Sequence, residues 1–203
     1  MRTLSEIDTT VKRASKAMGF SWGIAEEIGK NIRLLESFGL PGVKNLNQYF
    51  KDYKTKQFQK ISLISKLNES IKIPYCPIIF GTNFIDQCNV LEELIDIEVK
   101  NIAYPLLFLP FASRASEIIG KRIFLKIDEK EYLLNFNLSI LSNHLNSIMN
   151  KNAKLISLKF LDNNNLFTDN EWQEIYKLSE DTFVEETDSL KKSGAGAGLT
   201  DND

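Results

Sequence analysis

Apolar residues recur at three- and four-residue steps through roughly the first fifty positions, the period of a helix with one buried face. A capping box predicts a first helix over about Leu4 to Met18, which Gly19 ends. Ser21 is predicted to be the N-cap of a second helix, which ends at Gly39. A weaker pattern of the same period indicates a third helix over about Val43 to Tyr53. We therefore expect a helical pair or trio at the start of the chain.

The middle and the end of the chain mix strand and helix patterns. The clearest is an alternation that flanks a polar turn, which is typical of a β-hairpin. A β-branched segment with two prolines suits an edge or bulged strand. The predicted elements are an edge strand at Ile71 to Phe80, a helix at Val90 to Ile95, the hairpin at Arg122 to Phe136, a helix at Ser139 to Asn150, a strand at Lys154 to Leu161 and a helix at Asp169 to Leu178.

These elements predict an α+β fold, with the helical pair or trio packed on a small mixed or antiparallel sheet. We expect a single domain over residues 1–183, made of a helical part at 1–60 and an α+β part at 61–183. Residues 184–203 are acidic and then glycine-rich, and we expect them to form a flexible C-terminal tail. Two lobes that divide near residue 60 are the alternative.

Several protein classes do not fit the sequence. The longest strongly apolar run, Ile102 to Ala112, has 11 residues and two prolines, whereas a spanning helix needs roughly 20 residues. No secretory signal is visible, so we expect a cytoplasmic protein whose Cys76 and Cys88 stay reduced. One histidine and two separated cysteines are poor material for a zinc site, and we expect neither a metal nor a cofactor.

The net charge of -2 hides an uneven distribution. Residues 1–60 carry +5, residues 61–160 carry +1, and residues 161–203 carry -8. The acidic end is able to fold back on the basic front, to stay solvated, or to bind a basic partner. The basic residues are 20 Lys and 5 Arg, and nucleic-acid binding favours concentrated Arg, so we do not expect a nucleic-acid partner.

Three residues are weak candidates for catalysis. Cys76 would act as a nucleophile only with a lowered pKa and a nearby base, and His144 is the single histidine of the chain. Arg114 follows an apolar run and is a candidate clamp for an anion or a carboxylate. The alternatives are a buried inert thiol, a satisfied histidine and a plain surface charge.

Two groups of residues are candidates for binding. Trp22 and Glu26 are four residues apart on the second helix, so they share one face that would suit a small recognition site. The alternative is that Glu26 and Glu27 are acids near the helix N-terminus that complement the helix dipole. The tail carries a second set. Its glycines allow an extended peptide to thread a narrow groove, with one apolar anchor and a polar end: Gly194, Gly196, Gly198, Leu199, Asp201, Asn202 and Asp203.

Two segments of the chain, one near each end, together resemble a protein family. Ser21-Trp-Gly-Ile-Ala-Glu-Glu27, with the helix that follows, and Gly194-Ala-Gly-Ala-Gly-Leu-Thr-Asp-Asn-Asp203 are similar to an uncharacterised bacterial domain-of-unknown-function family. Cys76-Pro-Ile78 and the Leu106 to Phe111 run also have likenesses there. The resemblance implies no activity, substrate or catalytic residue. It favours a functional role for the C-terminal tail over a merely disordered chain end.

The sequence favours a non-catalytic accessory or binding protein that docks a protein partner through the peptide GAGAGLTDND. The alternative is a small-molecule metabolic enzyme with a pocket that involves Cys76, Arg114 and His144. Under either hypothesis no membrane partner is expected.

Overall fold

The computed structural model describes residues 2–143 and 150–183, and contacts divide the chain into two compact units, Met1–Asn163 and Asn164–Asp203. The predicted domain and tail boundaries stay predictions. Within these described residues, the first unit contains five α-helices and one mixed six-stranded sheet, and the second unit contains a sixth α-helix. The predicted α+β class is confirmed.

Three amphipathic helices open the first unit, as the sequence predicts. They are α1 (Leu4–Ala17), α2 (Trp22–Ser37) and α3 (Gly42–Tyr53). The side chains of Thr3 and Ser21 accept hydrogen bonds from the first turns of α1 and α2, which sets where each helix begins. The short link between α1 and α2 brings them together as an αα-hairpin.

Two further helices, α4 (Pro77–Leu91) and α5 (Leu109–Ile119), pack on each other and link the helical trio to the sheet. Helix α2 contacts both of them, and α5 contacts the sheet. Gly81 of α4 lies directly against the ring of Phe111 of α5, which allows a close approach of the two helices. The α2, α4 and α5 junction is where one of the clefts described below forms.

The sheet has the strand order β1-β2-β6-β3-β4-β5. Its strands are β1 (Leu67–Glu69), β2 (Asp96–Ala103), β3 (Arg122–Ile127), β4 (Lys130–Asn135), β5 (Ser139–Ser142) and β6 (Asn152–Leu161). Strands β1 and β2 are parallel, and the other pairs are antiparallel. The predicted hairpin is β3–β4, closed by Asp128 and Glu129, with Ile127 opposite Lys130.

Two local predictions are wrong. Ile71 to Phe80 is not an edge strand: Cys76 is the N-cap of α4 and Pro77 its first residue, where the missing N–H of proline costs nothing. By contrast, the helix predicted at Val90 to Ile95 is confirmed over most of its length, since α4 ends at Leu91 and a 3-10 turn, Glu92–Leu94, follows it. The segment after Ser139 begins as strand β5, because pairing with β4 overrides a weak helical period. The rest of that predicted helix, 144–149, lies outside the described residues.

The core of the first unit is one cluster of buried residues that extends from the helical trio through the α4–α5 pair to the sheet. Alternate residues of the strands are buried toward the helices, as Ile123, Leu125 and Ile127 of β3 show. Aromatic rings fill the space between the layers. Phe84 and Phe108 meet edge to face at 5.4 Å, and Phe84 stacks with Phe160 at 6.4 Å between ring centroids.

The second unit contains helix α6 (Asp169–Glu180). Thr168 and Glu171 form the capping box that the sequence predicts, with the Thr168 N–H donating to the Glu171 carboxylate at 2.6 Å. The rings of Phe167 and Trp172 stack at 5.6 Å between their centroids. The tail from residue 184 onward lies outside the described residues.

Candidate functional site

Trp22 is the most exposed large aromatic residue of the helical trio, with 54% of its surface accessible. It is the first residue of α2, immediately after the N-cap Ser21. Its ring lies beside α1, where the Nζ atoms of Lys12 and Lys16 approach the ring centroid to 6.0 and 5.5 Å. One helical turn separates these lysines, so both reach the same indole and hold it by cation–π attraction.

The side chains of Lys12 and Glu26 connect α1 to α2 beside Trp22, with Nζ and Oε1 2.5 Å apart. The hydrogen bond and the positive charge of Lys12 hold the pKa of Glu26 below its usual range. Glu26 is therefore ionised at neutral pH, and its carboxylate lies on the same side of α2 as the Trp22 indole.

Trp22 and Glu26 line one open cleft of about 590 Å³ between α1 and α2. We call it the Trp22 cleft; its other lining residues are Ser5, Asp8, Thr9, Lys12 and Arg13. Asp8 is paired with Arg33 at 3.3 Å, whereas Arg13 has no ion pair within the described residues. The cleft thus combines an aromatic face, hydroxyl groups and an unpaired guanidinium.

A second open cleft, of about 440 Å³, lies where α2, α4 and α5 meet. We call it the Arg114 cleft; it is lined by Ser21, Gly23, Ile24, Glu26, Glu27, Thr82, Ile85, Asp86 and Arg114. Glu26 lines both clefts, so they adjoin each other along α2. The volume lies within the range of small-molecule sites.

Arg114 binds across the helix junction to α2. Its Nη1 donates to the Glu27 carboxylate and, at 3.1 Å, to Oδ1 of Asn31. Lys30 also donates to Glu27, at 3.0 Å. Burial alone would raise the pKa of Glu27, but the hydrogen bonds from Arg114 and Lys30 outweigh it and leave that pKa below its usual range. The Arg114–Glu27 ion pair therefore stays charged at neutral pH.

Asn31 is buried beside this ion pair, with only 2% of its surface accessible. Its Oδ1 accepts from Arg114, so the amide orientation is fixed: the reverse orientation would set two donors against each other. Its Nδ2 then has no hydrogen-bond partner in the part of the chain that the structure describes. A buried donor without an acceptor costs about 1–3 kcal/mol.

Cys76 does not line either cleft. It is buried at the N-terminus of α4, where its Sγ accepts from the Ile79 N–H and lies 3.1 Å from the Tyr49 hydroxyl. Burial raises the pKa of the Cys76 thiol, and burial also raises the pKa of Tyr49 far above its usual value. The arrangement is that of a protonated thiol with a satisfied hydroxyl neighbour. Cys88 is likewise buried, and burial raises its pKa.

The structure brings Trp22 and Glu26 together in one cleft and places Arg114 in the adjoining cleft. Arg114 and Cys76 do not share a hydrogen-bond partner: Arg114 donates to Glu27, whereas Cys76 contacts Tyr49. His144 lies outside the described residues, and so do the predicted tail residues Gly194, Gly196, Gly198, Leu199, Asp201, Asn202 and Asp203. Within the described ranges, no group of three His, Cys, Asp or Glu side chains is arranged to hold a metal ion.

Sequence reasoning missed Lys12 and Asp86 as lining residues of these clefts, and it missed Lys16 and Asn31 as the residues that contact Trp22 and Arg114. The four-residue spacing of Lys12 and Lys16 is a local signal that pointed to a shared face. The contact of Arg114 with Asn31 joins residues 83 positions apart, and no local pattern indicates it.

Residues 2–75 match the model of a family described as "Protein of unknown function (DUF3726)". This segment contains α1, α2, α3 and β1, and thus all of the residues that line the Trp22 cleft. No curated protein and no solved structure matches the chain. Of the helices in the described ranges, none combines the length and the apolar character that crossing a membrane requires. Over residues 2–75 the chain is similar to an uncharacterised domain-of-unknown-function family, which is the kind of family that the sequence predicts; the match ends before Cys76 and the tail segment.

Proposed function

We propose that this protein is a non-catalytic accessory or binding protein that docks a protein partner through its C-terminal peptide, GAGAGLTDND, with the Trp22 cleft as a second contact. One observation carries the proposal: the exposures of the two most chemically distinctive side chains are opposite. Trp22 is half-exposed in an open cleft, whereas Cys76, the candidate nucleophile of the alternative enzyme hypothesis, is 1% exposed.

The Trp22 side of the proposal follows from interface energetics. Tryptophan contributes strongly to protein interfaces when its ring is half-exposed before binding and buried afterwards. The lysines that hold the ring fix its orientation, so less side-chain freedom is lost when a partner covers it. Arg13 adds an unpaired charge at the edge of the same surface.

The tail side of the proposal follows from the chemistry of the peptide. Alternating glycines permit close backbone approach in a narrow groove, and Leu199 supplies a single apolar anchor. Asp201, Asn202 and Asp203 add acidic and amide groups that favour a basic partner surface.

The thiol enzyme is the competing proposal. It requires a reactive Cys76, yet burial raises the pKa of this thiol and reduces the thiolate that would attack a substrate. Alkylation of the native protein at neutral pH tests it: a Cys76 that reacts faster than a free thiol would support the enzyme and contradict the binding role.

Affinity capture with a defined set of variants tests the binding role. The full chain, a 1–192 truncation and Trp22→Ala serve as baits, and Trp172→Ala of α6 is the matched control for loss of an aromatic residue. A partner retained by the full chain and by the control, lost on truncation and weakened by about 2 kcal/mol in Trp22→Ala supports the proposal. A partner retained equally by the truncation contradicts the docking role of the tail.

Melting temperatures of the same variants separate docking from folding. We expect the 1–192 truncation to melt within about 1 °C of the full chain, because a solvated peptide contributes little to stability. A large drop would mean that the peptide belongs to the fold of this chain.

We also propose that the protein acts in the cytoplasm of a bacterium. Both cysteines are free and buried within the described residues, which suits a reducing compartment. The bacterial origin rests on the family resemblance of the sequence.

A further inference from the structure

We propose that the Arg114 cleft is a binding site for a zwitterionic small molecule of the amino-acid type, a role separate from partner docking. The α-carboxylate binds the free edge of Arg114, the α-ammonium binds Asp86, and an apolar side chain lies against Ile24 and Ile85. All four residues line this one cleft, whose volume of about 440 Å³ suits a ligand of this size.

Arg114 supplies the carboxylate-binding group. Only its Nη1 is used inside the protein, for Glu27 and Asn31, so the Nε and Nη2 donors have no partner within residues 2–143 and 150–183. These two donors form the planar fork that binds a carboxylate with two parallel hydrogen bonds. The contacts on Nη1 hold the fork in a fixed orientation, which reduces the entropy lost on binding.

Asn31, which holds Arg114 in place but does not line the cleft, is itself incompletely hydrogen-bonded. Nδ2 of Asn31 is buried and unpaired, on the very amide whose oxygen holds Arg114. Native proteins rarely leave such a donor unsatisfied. Asn31 thus orients Arg114 and does not itself contact the ligand, since it lies outside the cleft lining.

Asp86 supplies the ammonium-binding group. It is exposed and has no ion pair within the described ranges, whereas Glu26 is paired with Lys12, and Glu27 with Arg114 and Lys30. Of the three acids in the cleft, Asp86 is thus the one whose charge is uncompensated by the protein. Thr82 lies one turn earlier on α4 and adds a hydroxyl on the same helical face.

A ligand with both charges fits this distribution better than a simple anion or a simple amine. A simple anion would meet the unpaired Asp86, and a simple amine would leave the Arg114 fork empty. Ile24 and Ile85, both partly buried, favour a zwitterion whose side chain is apolar.

The experiment uses the full chain and the twenty standard L-amino acids as probes, first by thermal shift and then by titration calorimetry. For the best probe, the amine that lacks the carboxylate and the acid that lacks the ammonium are measured beside it. We expect at least one apolar amino acid to bind, and both analogues to bind at least tenfold more weakly. Binding of none of the twenty, or equal binding of either analogue, overturns the proposal.

Three variants locate the site. Arg114→Lys keeps the charge but removes the fork, and Asp86→Asn removes the ammonium partner; we expect each to weaken binding at least tenfold. Glu93→Gln changes an exposed carboxylate outside the cleft and should leave the affinity unchanged. Arg114 also joins α5 to α2, so Arg114→Lys is liable to disturb the fold. Asp86 is exposed, so Asp86→Asn is expected to fold and tests the site independently. Full affinity in Asp86→Asn overturns the assignment.

Discussion

Replacement of Gly81 by alanine tests the packing that places the Arg114 cleft, because Gly81 sets the closest approach of α4 to α5. A Cβ at this position would lie 2.2 Å from Cδ2, 2.4 Å from Cγ and 2.7 Å from Cε2 of Phe111. Non-bonded carbon atoms prefer about 3.5–4.0 Å, so the new methyl group overlaps the ring by more than about 1 Å. Phe111 is completely buried, so its ring cannot move without displacing its neighbours in a close-packed core.

Two opposing effects set the magnitude. Alanine in place of glycine inside a helix stabilises by about 1 kcal/mol. Overpacking a well-packed core costs typically about 1–3 kcal/mol and occasionally more, and three contacts under 3.0 Å place this site at the upper end. We therefore expect Gly81→Ala to lower the free energy of unfolding by about 2 kcal/mol.

Gly23→Ala is the matched control, since Gly23 is also helical and a Cβ there has no neighbour within 4 Å. It should leave stability unchanged or raise it by up to about 1 kcal/mol. Urea unfolding followed by far-UV circular dichroism measures both variants at 25 °C. A Gly81→Ala midpoint at or above that of Gly23→Ala would refute the packing argument.

A double variant separates overlap from other causes. In Gly81→Ala with Phe111→Leu, the smaller side chain makes room for the methyl group, so the two losses should sum to more than the loss measured in the double variant. Simple additivity would mean that the ring of Phe111 is not the obstacle.

Three further predictions concern ionisable groups. Arg114 and Lys30 lower the pKa of Glu27 in the folded state, so the ionised Glu27 stabilises the fold at pH values above its unfolded pKa of about 4.3. This stabilisation is lost as the pH falls through the folded pKa. The urea midpoints of the wild type and Glu27→Gln should therefore differ at pH 7 and converge in acid. The buried Cys76 should react with iodoacetamide far more slowly in the native protein than in urea, as mass spectrometry of the Cys76 peptide would show, and equal rates would contradict its burial. Burial raises the pKa of Tyr132 to about 12, so the folded protein retains a proton that the unfolded chain loses near pH 10, and stability should fall between pH 10 and 12 less steeply in Tyr132→Phe than in the wild type.

The front of the fold was predictable because its signals are local. The side chains of Thr3 and Ser21 mark where α1 and α2 begin, and the helical period fixes their buried faces. The hairpin β3–β4 is equally local, since its two strands alternate around a short polar turn.

The predictions that are wrong lie where tertiary contacts decide the outcome. Cys76 and Pro77 look like part of an edge strand, yet they begin α4, a helix buried on several sides that has no amphipathic period to reveal it. Ser139 follows a helical pattern but pairs with Asn135 of β4. In both cases the neighbour that settles the conformation is absent from a local window.

The candidate site divides in the same way. The shared face of Trp22 and Glu26 follows from four-residue spacing, and the structure places both on one cleft. The Arg114 cleft combines α2 with α4 and α5, and its ion pair joins residues 87 positions apart. Sequence reasoning made Arg114 a candidate clamp for an anion or a carboxylate, but it had no means of finding Glu27, Asn31 or Asp86 as its neighbours.

Competition by a free peptide tests the proposed docking role most directly. A synthetic peptide of residues 193–203 is added to the complex of the full chain with its captured partner, beside a peptide of the same composition in scrambled order. If the tail is the docking element, the native peptide releases the partner in proportion to its concentration and the scrambled peptide does not. Equal release by both peptides, or release by neither, would contradict the account.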